Sequence, residues 1–213
     1  EPKKGGDLKI GIVGGSAKDT VDPQVANFEP DITNAYIMYE LLTTYDFEGN
    51  LVNQMAETIE PNDDGSVWKV TLKDGMLWHD GKPVTADDIV FSFDRIVDPK
   101  DPKGAAATLA GLKPGNTKKV DEKTVEFHLE SPNVIFSEAL AVRNAMVVPQ
   151  GFDPKNPIGS GPFKLTEFRA GEQFTYAPFA DYYGGAPYVD SLTVTEFGDE
   201  TARVNALTSG EVH

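Results

Sequence analysis

The sequence predicts an α+β protein. Three observations carry that reading. Apolar and polar residues alternate in several short runs, other runs repeat at helical spacing behind a capping residue, and Asp-Gly or Gly-rich turns punctuate them. At 213 residues, the chain is long enough for one large domain or two small ones around a real core.

Leu8, Ile10 and Ile12 alternate with Lys9 and Gly11, a period of two that predicts a strand. Gly14-Gly15-Ser16 follows, where backbone can turn sharply or approach another group closely. Ile32, Tyr36, Tyr39 and Leu42 then recur at helical spacing, with Asp31 as the expected N-cap. From Asp46 the pattern changes to short strands and tight turns, with Glu48-Gly49-Asn50 as one turn and Asp64-Gly65 as a hairpin signal. After it, Trp68, Val70 and Leu72 share one face of a strand, and Lys69, Thr71 and Lys73 the other. Thr85 caps a helix, Asp88 stands at the capping-box position, and Ile89, Phe93, Ile96 and Val97 form its buried stripe. Residues 98–116, rich in Pro, Gly, Ala and Lys, are expected to form a surface excursion. A strand over Val125-Phe127-Leu129 follows, and then a short helix near Ile135, Phe136 and Leu140. Strand patterns return around Phe163–Phe168, Phe174–Tyr176 and Leu192–Glu196, and a helix over Glu200–Leu207 ends at Gly210. That helix carries Val204 and Leu207, with little following sequence to pack against them.

Composition excludes several function classes. With 19 Lys+Arg against 34 Asp+Glu, the net charge is −15, and no basic run offers nucleic acid or an anionic membrane a footing. No apolar run is long enough to span a bilayer. The absence of cysteine removes disulfides, thiolate metal sites and cysteine nucleophiles, and suits an oxidising compartment. The start, Glu1-Pro2-Lys3-Lys4-Gly5-Gly6, has neither initiator Met nor an apolar signal core, and is expected to be a mature or trimmed terminus.

Candidate chemistry is sparse. His79-Asp80 is an adjacent pair whose Asp80-Gly81 is already accounted for as turn chemistry. His128 belongs to a polar strand face, and three scattered His do not make a transition-metal site, so no metal or cofactor is expected. Neither Asp63-Asp64-Gly65 nor Asp98-Pro99-Lys100-Asp101 has calcium-loop spacing. Gly14-Gly15-Ser16 lacks the Gly-Lys-Ser/Thr of a phosphate loop, and no serine sits in a nucleophile elbow. Arg143 stands out, because it falls within 139–148, the most apolar stretch of the chain. There an isolated guanidinium needs either an acidic partner or a ligand carboxylate.

Taken in order, these pieces resemble the bacterial extracellular solute-binding proteins of family 5, the peptide-, dipeptide- and nickel-binding subunits of ABC importers. Tyr39-Glu40-Leu41-Leu42 resembles the family's YE-x-L, and Gly49-Asn50-Leu51-Val52 with Met55-Ala56-Glu57 its G-x-L-x-P-x-L-A-E, loosely, with Asn53 in the Pro region. Asp63–Gly75 and Trp78–Phe93 resemble the DDG-x-x-W and F-H-D-G-x-P-x-T-A blocks, with Lys73 in place of Arg and Trp78 in place of Phe. Gly159–Phe163 is similar to GTGPY, Asp181–Pro187 to D-Y-W-G-G-x-P, and Ser209–Val212 to SGE-V-D.

The resemblance implies a type II, periplasmic-binding-protein-like lobe built from 1–44 and 157–213, with 45–156 as a smaller inserted α+β domain and the second lobe missing. It implies a non-catalytic binder, with no cofactor, that closes around a peptide or other small solute and delivers it to a membrane permease. Such a protein is expected to be a monomer outside the cytoplasmic membrane, in the periplasm or held at the cell surface by a lipid anchor not present in this chain. Gly14, Gly15 and Ser16 would bond an extended ligand through backbone, Arg143 would meet a carboxylate, and Phe28, Tyr36 and Trp78 would add aromatic contacts. A surface adhesion module on the same scaffold and an exported hydrolase are the alternatives.

Overall fold

The structure is a computed structural model that describes residues 3–213; Glu1 and Pro2, the start of the expected trimmed terminus, lie outside the described residues. The chain begins with β1 (Asp7–Val13) and α1 (Glu29–Met38), then a hairpin of β2 (Thr43–Tyr45) and β3 (Leu51–Asn53). Next come β4 (Ala56–Pro61), β5 (Val67–Leu72), α2 (Ala86–Ile96), β6 (Thr117–Lys119), β7 (Thr124–His128) and the single turn α3 (Phe136–Ala139). It closes with β8 (Phe163–Arg169), β9 (Gln173–Pro178), β10 (Ser191–Phe197) and α4 (Glu200–Ser209). One four-stranded sheet has the order β1-β10-β9-β8 and a second the order β4-β5-β7-β6. The first sheet is therefore made from both ends of the chain, and the second entirely from the middle.

Local chemistry explains most elements. On β5, Trp68, Val70 and Leu72 point into the core, as their alternation predicts, and Lys69 points to solvent. The Thr85 cap of α2 forms as expected: Asp88 Oδ2 accepts from the Thr85 backbone N–H at 2.8 Å and from its hydroxyl at 3.1 Å. Asp88 does more than cap, because Oδ2 also accepts from Trp78 Nε1 (3.1 Å) and Oδ1 from Gln150 N–H (2.8 Å). Asp199 caps α4 through Ala202 N–H, and Gly210 ends it in the left-handed conformation.

Three expectations need correction. Asp31 is not the N-cap of α1. The helix starts earlier, with Phe28 as cap and Pro30 in its first turn, where a fixed φ suits helix initiation. Asp31 is buried inside that turn and accepts from Thr20 N–H at 2.8 Å. The helix also stops at Met38 rather than Leu42, and Leu41 and Leu42 instead continue as extended chain bonded to 54–56. Residues 98–116 run as turns, yet Ala105, Leu109 and Leu112 are buried in the core, so the segment is a packed cover and not a free excursion.

Polar side chains lock the middle of the chain onto its ends. Arg95 of α2 meets Asp22 at 2.5 Å and Gln24 Oε1 at 2.5 Å, and buried Gln24 donates to the carbonyls of Met146 and Ser92. His79 docks on the Gly159–Gly161 backbone. Its Nε2–H donates to Gly161 O at 2.9 Å, its Nδ1 accepts from Gly159 N–H at 3.3 Å, and its own N–H donates to Gly159 O. Both glycines are needed, since a Cβ at 159 would stand 1.9 Å from the Met38 carbonyl oxygen and one at 161 would stand 2.8 Å from Ile37 O.

This dock requires a neutral imidazole. Burial is the main reason His79 titrates low, at about 4 rather than 6.5, with the Lys164 charge adding to it. Its contribution to stability is therefore full above the unfolded value and is lost as pH falls from about 6.5 to about 4. At about 1.4 kcal/mol per pKa unit, the loss approaches 3 kcal/mol. Buried Glu40, raised to about 7 by burial against hydrogen bonds from Tyr182 and Tyr183, acts in the opposite sense, losing stability as pH rises. Comparison with His79→Gln removes that background. Denaturant unfolding at pH 7 and pH 4 should show the parent losing about 2–3 kcal/mol more than the variant. Equal losses would rule out the neutral dock.

Candidate functional site

β1 pairs in parallel with β10 in unbroken register, from Asp7 opposite Ser191 to Val13 opposite Phe197. The last ladder bond runs from Gly14 N–H to Phe197 O at 2.9 Å. There the chain leaves the sheet through Gly14 and Gly15, at φ of +119° and +109°, a backbone region that L side chains rarely adopt. Ser16 is fastened inward. Its N–H donates to both Asp19 carboxylate oxygens (3.0 and 2.9 Å), its hydroxyl donates to Oδ1, and its carbonyl accepts from Asp19 N–H. Asp19 Oδ2 also takes Gly171 N–H from the β8–β9 turn at 2.9 Å.

These bonds leave one residue open. Among the described residues, neither the N–H nor the C=O of exposed Gly15 has a protein partner. Gly15 borders a cleft of about 400 Å³ together with Gly14, Ser16, Lys18, Phe28 and Pro30. Phe28 is 66% exposed, an apolar ring presented at the head of α1. The arrangement offers one unpaired backbone donor and acceptor beside an apolar wall, the elements an extended chain needs in order to add to a strand end.

Of the residues the sequence singled out, Gly14, Gly15, Ser16 and Phe28 come together here. Tyr36 lies two turns along α1, half exposed and not lining the cleft. Trp78 is buried, and its indole N–H is spent on Asp88. It borders a separate cleft of about 540 Å³ beside Pro83 and Gln150, whose Asp88 and Asp80 are already partnered. Arg143 departs from expectation. The apolar residues after it are buried, but Arg143 sits in a one-turn 3₁₀ helix with its side chain in solvent and without an ion pair among the described residues. The buried polar role in that stretch falls to Asn144, whose Nδ2 donates to Pro23 O and Ala26 O. No group of three or more His, Cys, Asp or Glu among the described residues could hold a metal ion.

Sequence reasoning missed the acid groups beneath the glycines: Asp19, Asp31 and Glu196. Glu196 did carry a signal, since it occupies the same phase of β10 as buried Leu192 and Val194. Its carboxyl lies against Gly15, where an added Cβ would stand 2.0 Å from Oε2.

Residues 50–213 match the family described as "Bacterial extracellular solute-binding proteins, family 5 Middle". The chain belongs to this family. The whole chain is 30% identical to the oligopeptide-binding protein AppA of Bacillus subtilis, over 41% of that protein's length. It superposes on the structure of AppA in complex with a nonapeptide with a TM-score of 0.88 at 28% identity, covering 100% of this chain and 44% of the other. It also superposes on the binding protein AgaA of A. tumefaciens R10, in complex with agropinic acid, with a TM-score of 0.87 at 31% identity, over 97% of this chain and 43% of that one. The family member described here thus spans about two-fifths of the length of these relatives.

Gly15 is the most constrained position of the cleft. Gly15→Ala should cost about 2–4 kcal/mol, from the unfavourable φ together with the clash against Glu196. Combining it with Glu196→Ala should recover the steric part and leave the backbone part, a coupling that denaturant unfolding of the four proteins measures. Additive losses would show that Gly15 and Glu196 do not touch.

Proposed function

We propose that these residues are the first part of a two-lobed, non-catalytic binding protein of an ABC importer, which takes a peptide or similar small solute outside the cytoplasmic membrane and presents it to the permease. In this reading 1–44 and 157–213 make one lobe, 45–156 is inserted into it, and the remaining length seen in the relatives supplies the opposing lobe. Whether the protein moves freely in a periplasm or is held at the surface by a lipid, its working site faces the outside.

The observation that carries the proposal is Gly15, whose backbone donor and acceptor are both open beside a cleft at the end of β1. An extended ligand residue placed opposite it gains two hydrogen bonds, as a further strand would, without any demand on its side chain. Gly15 and Gly14 have no side chain to hold the ligand backbone off, and Ser16, tied to Asp19, keeps the edge in place. Phe28 shields these bonds from water. Arg143 and Tyr36, both exposed, serve parts of a ligand that extend beyond the cleft, whereas Trp78 is structural. The nonapeptide bound by one relative supports a site that meets an extended backbone, and the agropinic acid bound by another supports leaving chemical selection to other contacts. Closure of the opposing lobe would exclude water and strengthen each polar contact.

The full-length protein tests this reading. Native mass spectrometry of the purified protein identifies a bound solute, and calorimetry with that solute measures its affinity. Phe28→Ala should weaken binding about tenfold, the loss of about 1.4 kcal/mol of aromatic contact, while thermal stability is unchanged because the ring is already exposed. Parent-like affinity in Phe28→Ala would remove the cleft from the binding site.

A further inference from the structure

Glu196 is the only residue on the buried face of β10 that is not apolar, following Leu192 and Val194 in phase. It is 9% exposed, and both carboxyl oxygens are buried without a donor directed at them. The backbone of Gly15 lies directly on the carboxyl. The titratable groups that act on it are Asp19 from the β1–α1 loop and Asp31 from α1. Tyr176 of β9, opposite Leu192, gives no donor, because its hydroxyl is spent on Asn34 Oδ1 at 2.9 Å. No lysine or arginine is among the groups that act on it.

A buried carboxylate in such surroundings, beside other acids and without a cation, is costly, and a neutral carboxylic acid removes the cost while gaining one O–H donor. Burial first, then the charges of Asp19 and Asp31, push Glu196 up to about 8. Of the two acids Asp19 acts on it more strongly, and the same carboxylate holds Ser16 N–H and Gly171 N–H.

We propose that Glu196 is a positioning residue for the Gly14–Ser16 backbone edge, acting as a neutral acid that donates its proton to Asp19 and so seats Gly15 against β10. The proton forms one bond across two strand ends: β10 supplies the donor, and Asp19 passes the restraint to Ser16 on one side and to the β8–β9 turn on the other. Loss of that proton sets two carboxylates against each other under Gly15. The segment 14–19, exposed apart from Asp19 and half-buried at Val13, is the part free to lift. The edge is then formed at neutral pH and loosened in alkali. Its bearing on ligand rests on the function proposed above; the shared proton does not, and it is measured without ligand.

The test is a pH titration of the carbon-13-labelled chain of 213 residues, followed by NMR at the Glu196 carboxyl and at the carbonyls of Gly15 and Ser16. In the parent, all three should move together with a midpoint near 8. In Glu196→Gln, whose amide still donates to Asp19, the Gly15 and Ser16 carbonyls should stay at their neutral-pH positions across the range. In Glu196→Ala, the anchor is absent at every pH, and exchange of the Ser16 amide at pH 7 should accelerate about tenfold or more. Carbonyls of Gly15 and Ser16 that do not follow the Glu196 carboxyl in the parent would overturn the proposal, as would an unchanged titration in Glu196→Gln. Failure of solute binding with these titrations intact would instead count against the proposed function alone.

Discussion

The parallel pairing of β1 with β10 is the constraint on which the rest of the structure depends. These strands lie near opposite ends of the chain, so their ladder closes a loop containing nearly every other element. Closing a loop of this length costs entropy that grows only slowly with the number of residues, but it must be met before any pair forms. It is offset by the middle of the chain, whose β4-β5-β7-β6 sheet and α2 are contiguous in sequence and share an apolar core with the first sheet. The Arg95–Asp22–Gln24 cluster, Asn144 and the His79 dock then fix that middle to residues 22–26 and 159–161. Charge-assisted bonds of this kind are stronger than neutral ones, and because their groups are buried, removing one partner strands the other. The middle of the chain is thus tied to both of the segments that carry the first sheet.

The register of β1 on β10 decides where the candidate groups lie. Because Val13 opposes Phe197, the chain leaves the sheet just past Glu196, and Gly15 packs onto its carboxyl, where a Cβ would stand 2.0 Å from Oε2. A residue with a side chain at position 15 would be excluded by the acid below it, and the open N–H and C=O above would be lost with it. Gly15 thus serves packing beneath and exposure above.

Much of this was legible in the amino-acid sequence where local physics decides the outcome. The alternation in 68–72, the Thr85–Asp88 cap, the Asp64-Gly65 turn and the Gly210 stop all formed as their residues predict, since each depends on neighbours a few positions away. Errors came where distant contacts override local preference. Asp31 reads as a cap, yet tertiary packing buries it against Thr20; Arg143 reads as a buried charge, yet a one-turn helix rotates it into solvent while Asn144 takes the interior. Residues 98–116 look like solvent-facing turn chemistry, but three apolar side chains spaced along them reach the core. Gly14-Gly15-Ser16 is legible as a candidate from its residue types, and Phe28 only through the family resemblance. Their convergence with Asp19 and Glu196 is not, because it follows from the pairing of the two chain ends.

Hydrogen exchange on the full-length protein, with and without the solute it carries, tests the central claim most directly, namely that the end of β1 is the ligand-facing edge. The account predicts that added protection within these 213 residues concentrates at Gly15 and its immediate neighbours, with the paired interior of β1 and β10 unchanged. Protection gained instead around the cleft between Trp78 and Gln150, with Gly14–Ser16 exchanging as in the free protein, would contradict it.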